Sequence, residues 1–274
     1  NNPIYHSDTK DFQGPTLRFL MPHNRSLTLL IYKQNNGPGI IPIDIYTDKG
    51  RKEKERSINI FWGGVISVLI AMALYNIMVY AMHPNNAYLW YMGFHIIAFI
   101  YFAGLNGYGY LIFPLEIQVW LAQNIMALNF IVIFFILNFA RVFLEVSQYA
   151  KKHEKLIIPI SALSILGFLF SLWIPEYKMI APFSVLQGVS TVFGISMAVT
   201  AYRNKFRPAK YFLIAWMFTL TGGAIGMASA IGQIPATFFT QHGFLFGTLA
   251  ELFLFSMALA HRMKVMETKL LSQS

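Results

Sequence analysis

The sequence contains no cysteine and few charges. None of its 274 residues is Cys, and only 12% are charged, against about 25% in soluble globular domains. Disulfide frameworks, thiolate zinc sites and cysteine nucleophiles are therefore excluded. The sequence also lacks a P-loop, a G-x-S-x-G elbow, a cyclase-type Gly-Gly-acid-acid-Phe signature and a retinal-binding lysine deep in its last apolar run. We therefore expect no catalysis within this segment.

Apolar runs dominate what is present. Hydrophobic residues make up 56% of the chain and the mean hydropathy is +0.51. Each run is long enough to cross about 30 Å of hydrocarbon as a helix. The sequence thus predicts an all-α membrane protein, a seven-transmembrane helix bundle surrounded by membrane lipid. The predicted spans are 59–82, 87–105, 117–141, 156–174, 178–202, 209–231 and 240–261.

The basic residues predict the orientation of the bundle. Eleven of the 21 Lys and Arg follow spans three, five and seven, whereas the breaks 106–116, 175–177 and 232–239 contain none. By the positive-inside rule, the N-terminus lies outside and the C-terminus inside. The net charge of +9 then reflects orientation, and no nucleic-acid partner is expected. The eleven residues are Arg141, Lys151, Lys152, Lys155, Arg203, Lys205, Arg207, Lys210, Arg262, Lys264 and Lys269.

The segments outside the bundle have different patterns. Residues 1–57 alternate apolar and polar side chains between turn residues, which predicts a short β-strand-rich external segment, the end of a domain that begins upstream. A flexible juxtamembrane tail is the alternative. Residues 58–262 form the transmembrane domain. In 263–274, Met263, Met266 and Leu270 have the spacing of a coiled-coil seam. This segment is predicted to start a cytoplasmic signalling helix, which makes a homodimer plausible.

Glu251 is an acidic residue near the predicted bilayer midplane, about 11 residues from either end of its span. By depth, His95 and Asn129 are the nearest candidate partners, while Asn76 and Gln187 lie farther away. A static hydrogen bond, a conformational switch and an ion pathway all remain open for Glu251.

Small residues predict close packing between spans six and seven. Gly243 and Gly247 precede Glu251 on the same stripe, and Gly222 and Gly226 offer a matching surface on span six.

Polar residues at the outer ends of the spans could line a cavity, although ordinary interfacial residues would have the same pattern. These residues are Glu116, Trp120, Gln123 and His242. His95 and His242 lie within spans at different depths, so we expect no metal site and no cofactor.

Four motifs in order resemble the bacterial seven-transmembrane receptors with diverse intracellular signalling modules. They are Leu74-Tyr75-Asn76, Asn106-Gly107, the segment from Phe139 through Arg141 to Leu144, and the segment from Glu251 through Ser256 to Arg262. The resemblance covers about 58–271, and 15–46 resembles the last strands of that family's external jelly-roll sensor.

The resemblance implies a receptor in the bacterial inner membrane. It would relay binding of a small-molecule ligand at an external carbohydrate-binding-like domain to a cytoplasmic output domain beyond residue 274, such as a histidine kinase, a diguanylate cyclase or a phosphatase. Glu251 and Arg262 match the family's last-span motif, and Arg141 and Arg262 are the candidates for cytoplasmic coupling. A small transporter or channel is the alternative function, although the sequence shows no internal repeat. An intramembrane zinc hydrolase is the third.

Overall fold

A computed structural model describes Thr28, residues 45–105, Gly109 and residues 112–271. These residues form ten helices joined by short turns. The helices are α1 (Asp48–Met82), α2 (Asn86–Leu105), α3 (Leu115–Gln123), α4 (Ile125–Phe143), α5 (Val146–Tyr149), α6 (Lys151–Ser171), α7 (Glu176–Arg203), α8 (Ala209–Ala230), α9 (Phe238–Gln241) and α10 (Gly243–Leu271).

Seven of the helices are long and apolar enough to cross a membrane: α1, α2, α4, α6, α7, α8 and the Gly243–Arg262 part of α10. The predicted seven-helix membrane bundle is thereby confirmed. The predicted strands within residues 1–44, and Asn106-Gly107, lie outside the described residues.

The first helix begins earlier than the hydropathy of the sequence indicates. The hydroxyl of Thr47 accepts a hydrogen bond from the backbone N–H of Gly50 at 3.1 Å, which caps α1, and Asp48 follows in the first turn. Arg51 and Glu55 then form an ion pair one turn apart. Residues 48–57, which the sequence assigns to the external β-rich segment, are therefore the polar start of α1.

The predicted third span is two helices. The side-chain amide of Asn124 donates a 2.8 Å hydrogen bond to the carbonyl of Trp120, while its backbone N–H donates to the carbonyl of Leu121. Asn124 itself has a non-helical backbone, with φ −123° and ψ 27°, so its side chain replaces the backbone N–H on the Trp120 carbonyl. The break at Asn124 therefore separates α3 from the membrane helix α4.

The seven long helices form a ring in chain order. Each packs against the next, and α10 closes the ring by contacting α1. The ring is filled because α4 also contacts α7, and α10 also contacts α2. Of the described contacts, those between α8 and α10 are the most extensive. These two helices carry the candidate site.

An aromatic block fills one half of the bundle. Its members come from α2, α4, α8 and α10 and are fully buried or nearly so. Phe255 of α10 lies at its centre, with ring centroids 4.8 Å from Phe139 and 5.2 Å from Phe212. Edge-to-face and offset ring contacts of this kind stabilise packing beyond the area they bury. The other members are Tyr91, Phe143 and Trp216.

Candidate functional site

Three glycines allow α8 and α10 to touch through their backbones. A Cβ atom at Gly222 would overlap the carbonyl oxygen of Gly243, and one at Gly243 would lie 2.7 Å from the carbonyl oxygen of Gly222. A Cβ at Gly247 would lie 2.5 Å from the carbonyl oxygen of Phe218. At Gly226, by contrast, the nearest atom to a Cβ would be 3.8 Å away. The contact thus depends on Gly222, Gly243 and Gly247, and Gly226 is not needed for it.

Glu251 lies on α10 one turn beyond Gly247 and is 3% exposed. Its Oε2 accepts a 2.7 Å hydrogen bond from the hydroxyl of Thr219 on α8. The partner therefore comes from the helix against which the glycines pack. Because a residue four positions after Gly247 lies on the same face of α10, that close packing brings Glu251 onto α8 as well.

The partners predicted by depth contact other groups. A ring nitrogen of His95, Nε2, lies 3.0 Å from the carbonyl oxygen of Leu69 on α1. Asn129 forms a hydrogen bond with Tyr101 on α2. Depth along a helix says nothing about the direction in which a side chain points, and this is why the two candidates fail as partners of Glu251.

A second polar cluster joins α10 to α1 and α2 at Ser256. The amide of Asn76 donates a 2.8 Å hydrogen bond to the hydroxyl of Ser256, and the Tyr91 hydroxyl lies 3.1 Å from the same oxygen. Tyr91 also donates to the carbonyl of Leu252 at 2.5 Å. All three side chains are buried. Asn76 is thus a partner of α10, one turn beyond Glu251.

Arg262 ties the far end of α10 to the turn after α4. Its Nη1 donates hydrogen bonds to the carbonyls of Phe143 and Val142 at 3.1 and 3.3 Å, and its Nη2 forms an ion pair with Glu145. Carbonyls at the C-terminal end of a helix carry partial negative charge, so a guanidinium stabilises them. Glu145 has a φ of 48°, a left-handed conformation that ends α4 and begins α5. One arginine thus holds α10, α4 and α5 together.

Arg141 forms a neighbouring link, from α4 to α6. Its Nε donates to Oε1 of Glu154 at 2.7 Å. Both arginine–glutamate pairs border an open cleft of about 600 Å³, which Tyr80, Asn85, Asn86 and Ser147 also line. The two predicted coupling residues, Arg141 and Arg262, therefore lie together at one end of the bundle.

The predicted outer residues divide between two places. Glu116, Trp120 and Gln123 are exposed on α3, which packs against α2. His242, between α9 and α10, packs instead against the rings of Phe61 and Phe238, at centroid distances of 5.5 and 4.7 Å. None of these four residues borders the cleft beside Arg141 and Arg262.

The polar groups on α10 are arranged to join this helix to its neighbours. Within the described part of the chain, no three His, Asp or Glu side chains come together as metal ligands. Along its length, α10 carries an acid bonded to a hydroxyl, a shared serine and a guanidinium on backbone carbonyls. Each of these contacts joins α10 to a different neighbour, so a movement of α10 would change all of them.

Comparison with known proteins identifies the family of the chain. A family model described as 7TM diverse intracellular signalling matches residues 58–262, which is three quarters of the chain. The chain belongs to this family. No curated protein and no solved structure gives a significant match. As a member of the 7TM diverse intracellular signalling family, the chain is a multi-pass membrane protein that contains the seven-helix membrane domain of a signalling receptor family.

Sequence reasoning missed several partners in this family member. Thr219, Tyr91 and Glu145 were not candidates, and Ser256 appeared only as part of a motif. Thr219 could have been found, since it precedes Gly222 by three residues and so shares the glycine face of α8. The sequence contains no comparable signal for Glu145, because its role depends on the left-handed turn after α4.

Proposed function

We propose that the chain passes ligand binding on one side of the membrane to an output domain on the other through movement of α10. The observation that carries the proposal is the path of this helix. It starts beside α9, bears Glu251 and Arg262, and continues unbroken to Leu271, past the last membrane-spanning position. The side chains of Met263, Met266 and Leu270, on which the predicted seam depends, lie outside what the structure describes.

The distribution of basic residues supports an N-terminus outside and a C-terminus inside. Lys and Arg concentrate after α4, α7 and the membrane-spanning part of α10, which is the pattern of cytoplasmic ends. The Arg262 cluster then lies on the cytoplasmic side. The family description, diverse intracellular signalling, supports an intracellular output domain. In this proposal the external ligand is a small molecule, and any enzymatic activity belongs to the output domain.

A ligand can drive the relay only if it binds two arrangements of the bundle with different affinities, and coupling energies of about 1–3 kcal/mol are typical. The described contacts are suited to this range. Glu251 holds α8 through a single hydroxyl, so its contact can be exchanged at low cost. Arg262 releases or retains the cytoplasmic end of α10 through one ion pair and two carbonyls.

Replacing Glu251 with glutamine tests the switch role. The Gln oxygen can still accept the Thr219 hydrogen bond, so we expect a folded bundle with a melting temperature within about 3 °C of wild type. Because the carboxyl group is lost, we expect the basal output of a reporter enzyme fused after residue 274 to change at least about 3-fold. Ser164→Ala is the control, since Ser164 is buried on α6 and its hydroxyl bonds only the carbonyl of Ile160. Unchanged output in E251Q would reduce Glu251 to a packing residue.

Insertions after Arg262 test transmission through the helix. One added residue rotates everything that follows by about 100°, whereas seven residues return it to within about 20°. We expect the single insertion to change reporter output and the seven-residue insertion to restore it. Equal output from both insertions would contradict a rotationally fixed helix as the transmitter.

A further inference from the structure

The outward face of α7 carries a side-chain amide within the membrane-spanning part of the helix. Gln187 is exposed and lies 11 residues after Glu176, about 16 Å along a helix of about 40 Å. Asn76 and Asn138, two amides within the other spans, are buried, and Asn129 is half-buried. Gln187 thus places a strongly polar group where lipid tails would otherwise surround it.

This amide is only partly satisfied. Its Nε2 donates a 3.2 Å hydrogen bond to the hydroxyl of Thr191 one turn away. Its carbonyl oxygen and second N–H have no partner among the described residues. Since hydrocarbon supplies no hydrogen bonds, an amide in this state is unfavourable unless another protein surface covers it.

The residues around Gln187 allow close approach of another helix. Ser184 and Gly188, four residues apart, are exposed on the same face, and a Cβ at Gly188 would have nothing within 4 Å. The Ser184 hydroxyl bonds the carbonyl of Ile180 at 2.8 Å, so it presents a small surface with its donor already used. Small residues four apart beside a polar side chain are typical of helix–helix interfaces in membranes.

We propose that this face of α7, formed by Ser184, Gln187, Gly188 and Thr191, packs against the same face of a second copy of the chain. Two copies inserted in one orientation are related by a two-fold axis along the membrane normal, so each Gln187 meets the other at the same depth. An amide is both donor and acceptor and can therefore complete its bonds with an identical amide. A second copy of the chain therefore supplies the hydrogen-bond partner that the Gln187 amide lacks.

The interface is independent of the α10 relay. In the ring of helices, α8 separates α7 from α10, so the pairing leaves Glu251 and Arg262 outside the contact. The dimer can therefore be tested without any signalling readout.

Cysteine cross-linking locates the interface directly, because the chain has no cysteine of its own. Single variants of the full chain, Ser184→Cys and Gly188→Cys, are oxidised in native membranes. Val185→Cys and Val189→Cys serve as controls, since both valines are more than half exposed on α7 but lie about 100–140° around the helix from Ser184 and about 60–100° from Gly188. We expect at least 5-fold more disulfide-linked dimer from the first pair. Equal yields from both pairs, or no dimer from Ser184→Cys and Gly188→Cys, would overturn the proposal.

The contribution of the amide is tested by Gln187→Leu. We expect its dimer dissociation constant in liposomes, measured by energy transfer between labelled copies, to rise about 3- to 10-fold. Gln187→Asn, which keeps an amide, should recover most of the affinity. A Gln187→Leu protein that dimerises like wild type, or a wild-type protein that stays monomeric at every density, would contradict the self-pairing.

Discussion

Replacing Gly222 with leucine is expected to lower the free energy of unfolding by about 3 kcal/mol or more. Even the Cβ of the new side chain would overlap the carbonyl oxygen of Gly243, which is backbone and cannot rotate away. The helices α8 and α10 would have to separate. Because Thr219 lies one turn from Gly222 and Glu251 lies one turn from Gly247, which also borders the new side chain, their hydrogen bond would be lost as well. Thermal unfolding in detergent measures the loss.

Gly64→Leu is the matched control. Gly64 is exposed on α1, and a Cβ there would have nothing within 4 Å. Leucine is a better helix former than glycine, so this variant should melt at or slightly above the wild-type temperature. Equal melting of G222L and G64L would show that α8 and α10 do not touch through their backbones.

Replacing Arg262 with methionine is expected to cost about 2–4 kcal/mol of stability. Methionine fills similar space but removes the ion pair with Glu145 and both hydrogen bonds to the α4 carbonyls. The Arg262 side chain is only 11% exposed, so these bonds are largely shielded from water. Since Glu145 is 30% exposed and partly hydrated once unpaired, the loss should fall short of that for a fully buried pair. In a reporter fusion, the freed end of α10 should also change the basal output.

Two comparisons isolate the role of the guanidinium. Arg203→Met removes an exposed basic residue from the last turn of α7 and should leave the melting temperature nearly unchanged. Arg262→Lys keeps the charge but cannot reach three acceptors with a planar fork, so an intermediate loss is expected. If R262M melts like R203M, Arg262 does not hold α10 to α4.

Hydropathy was sufficient to predict the bundle, because a long apolar segment in lipid must form a helix to satisfy its backbone hydrogen bonds. It could not predict how each helix is rotated. Depth in the membrane favoured His95 and Asn129 as hydrogen-bond partners of Glu251. The glycine stripe that precedes Glu251 faces span six, which contains the actual partner, Thr219. In this bundle, the packing of small residues was a better guide to polar partners than depth.

Local polar chemistry was the other source of error. The backbone leaves the helical conformation at Asn124, whose amide takes the Trp120 carbonyl, and the cap at Thr47 extends a helix into a segment that reads as polar. Both effects depend on one side chain bonding the backbone, which an average over 19 residues cannot detect. The Arg262–Glu145 contact, formed by residues 117 positions apart, likewise has no local signal.

If α10 tilts during signalling as proposed, the aromatic block around Phe255 would be its pivot. Phe255 lies about 18 Å along the helix from Gly243 and about 24 Å from Leu271. Its neighbours are interlocked rings with little room to yield, so a tilt of α10 would pivot there, with Glu251 and Arg262 on opposite arms. The arm toward Leu271 is the longer by about one third. A small displacement of α10 beside α9 would then produce a larger displacement, in the opposite direction, at Leu271.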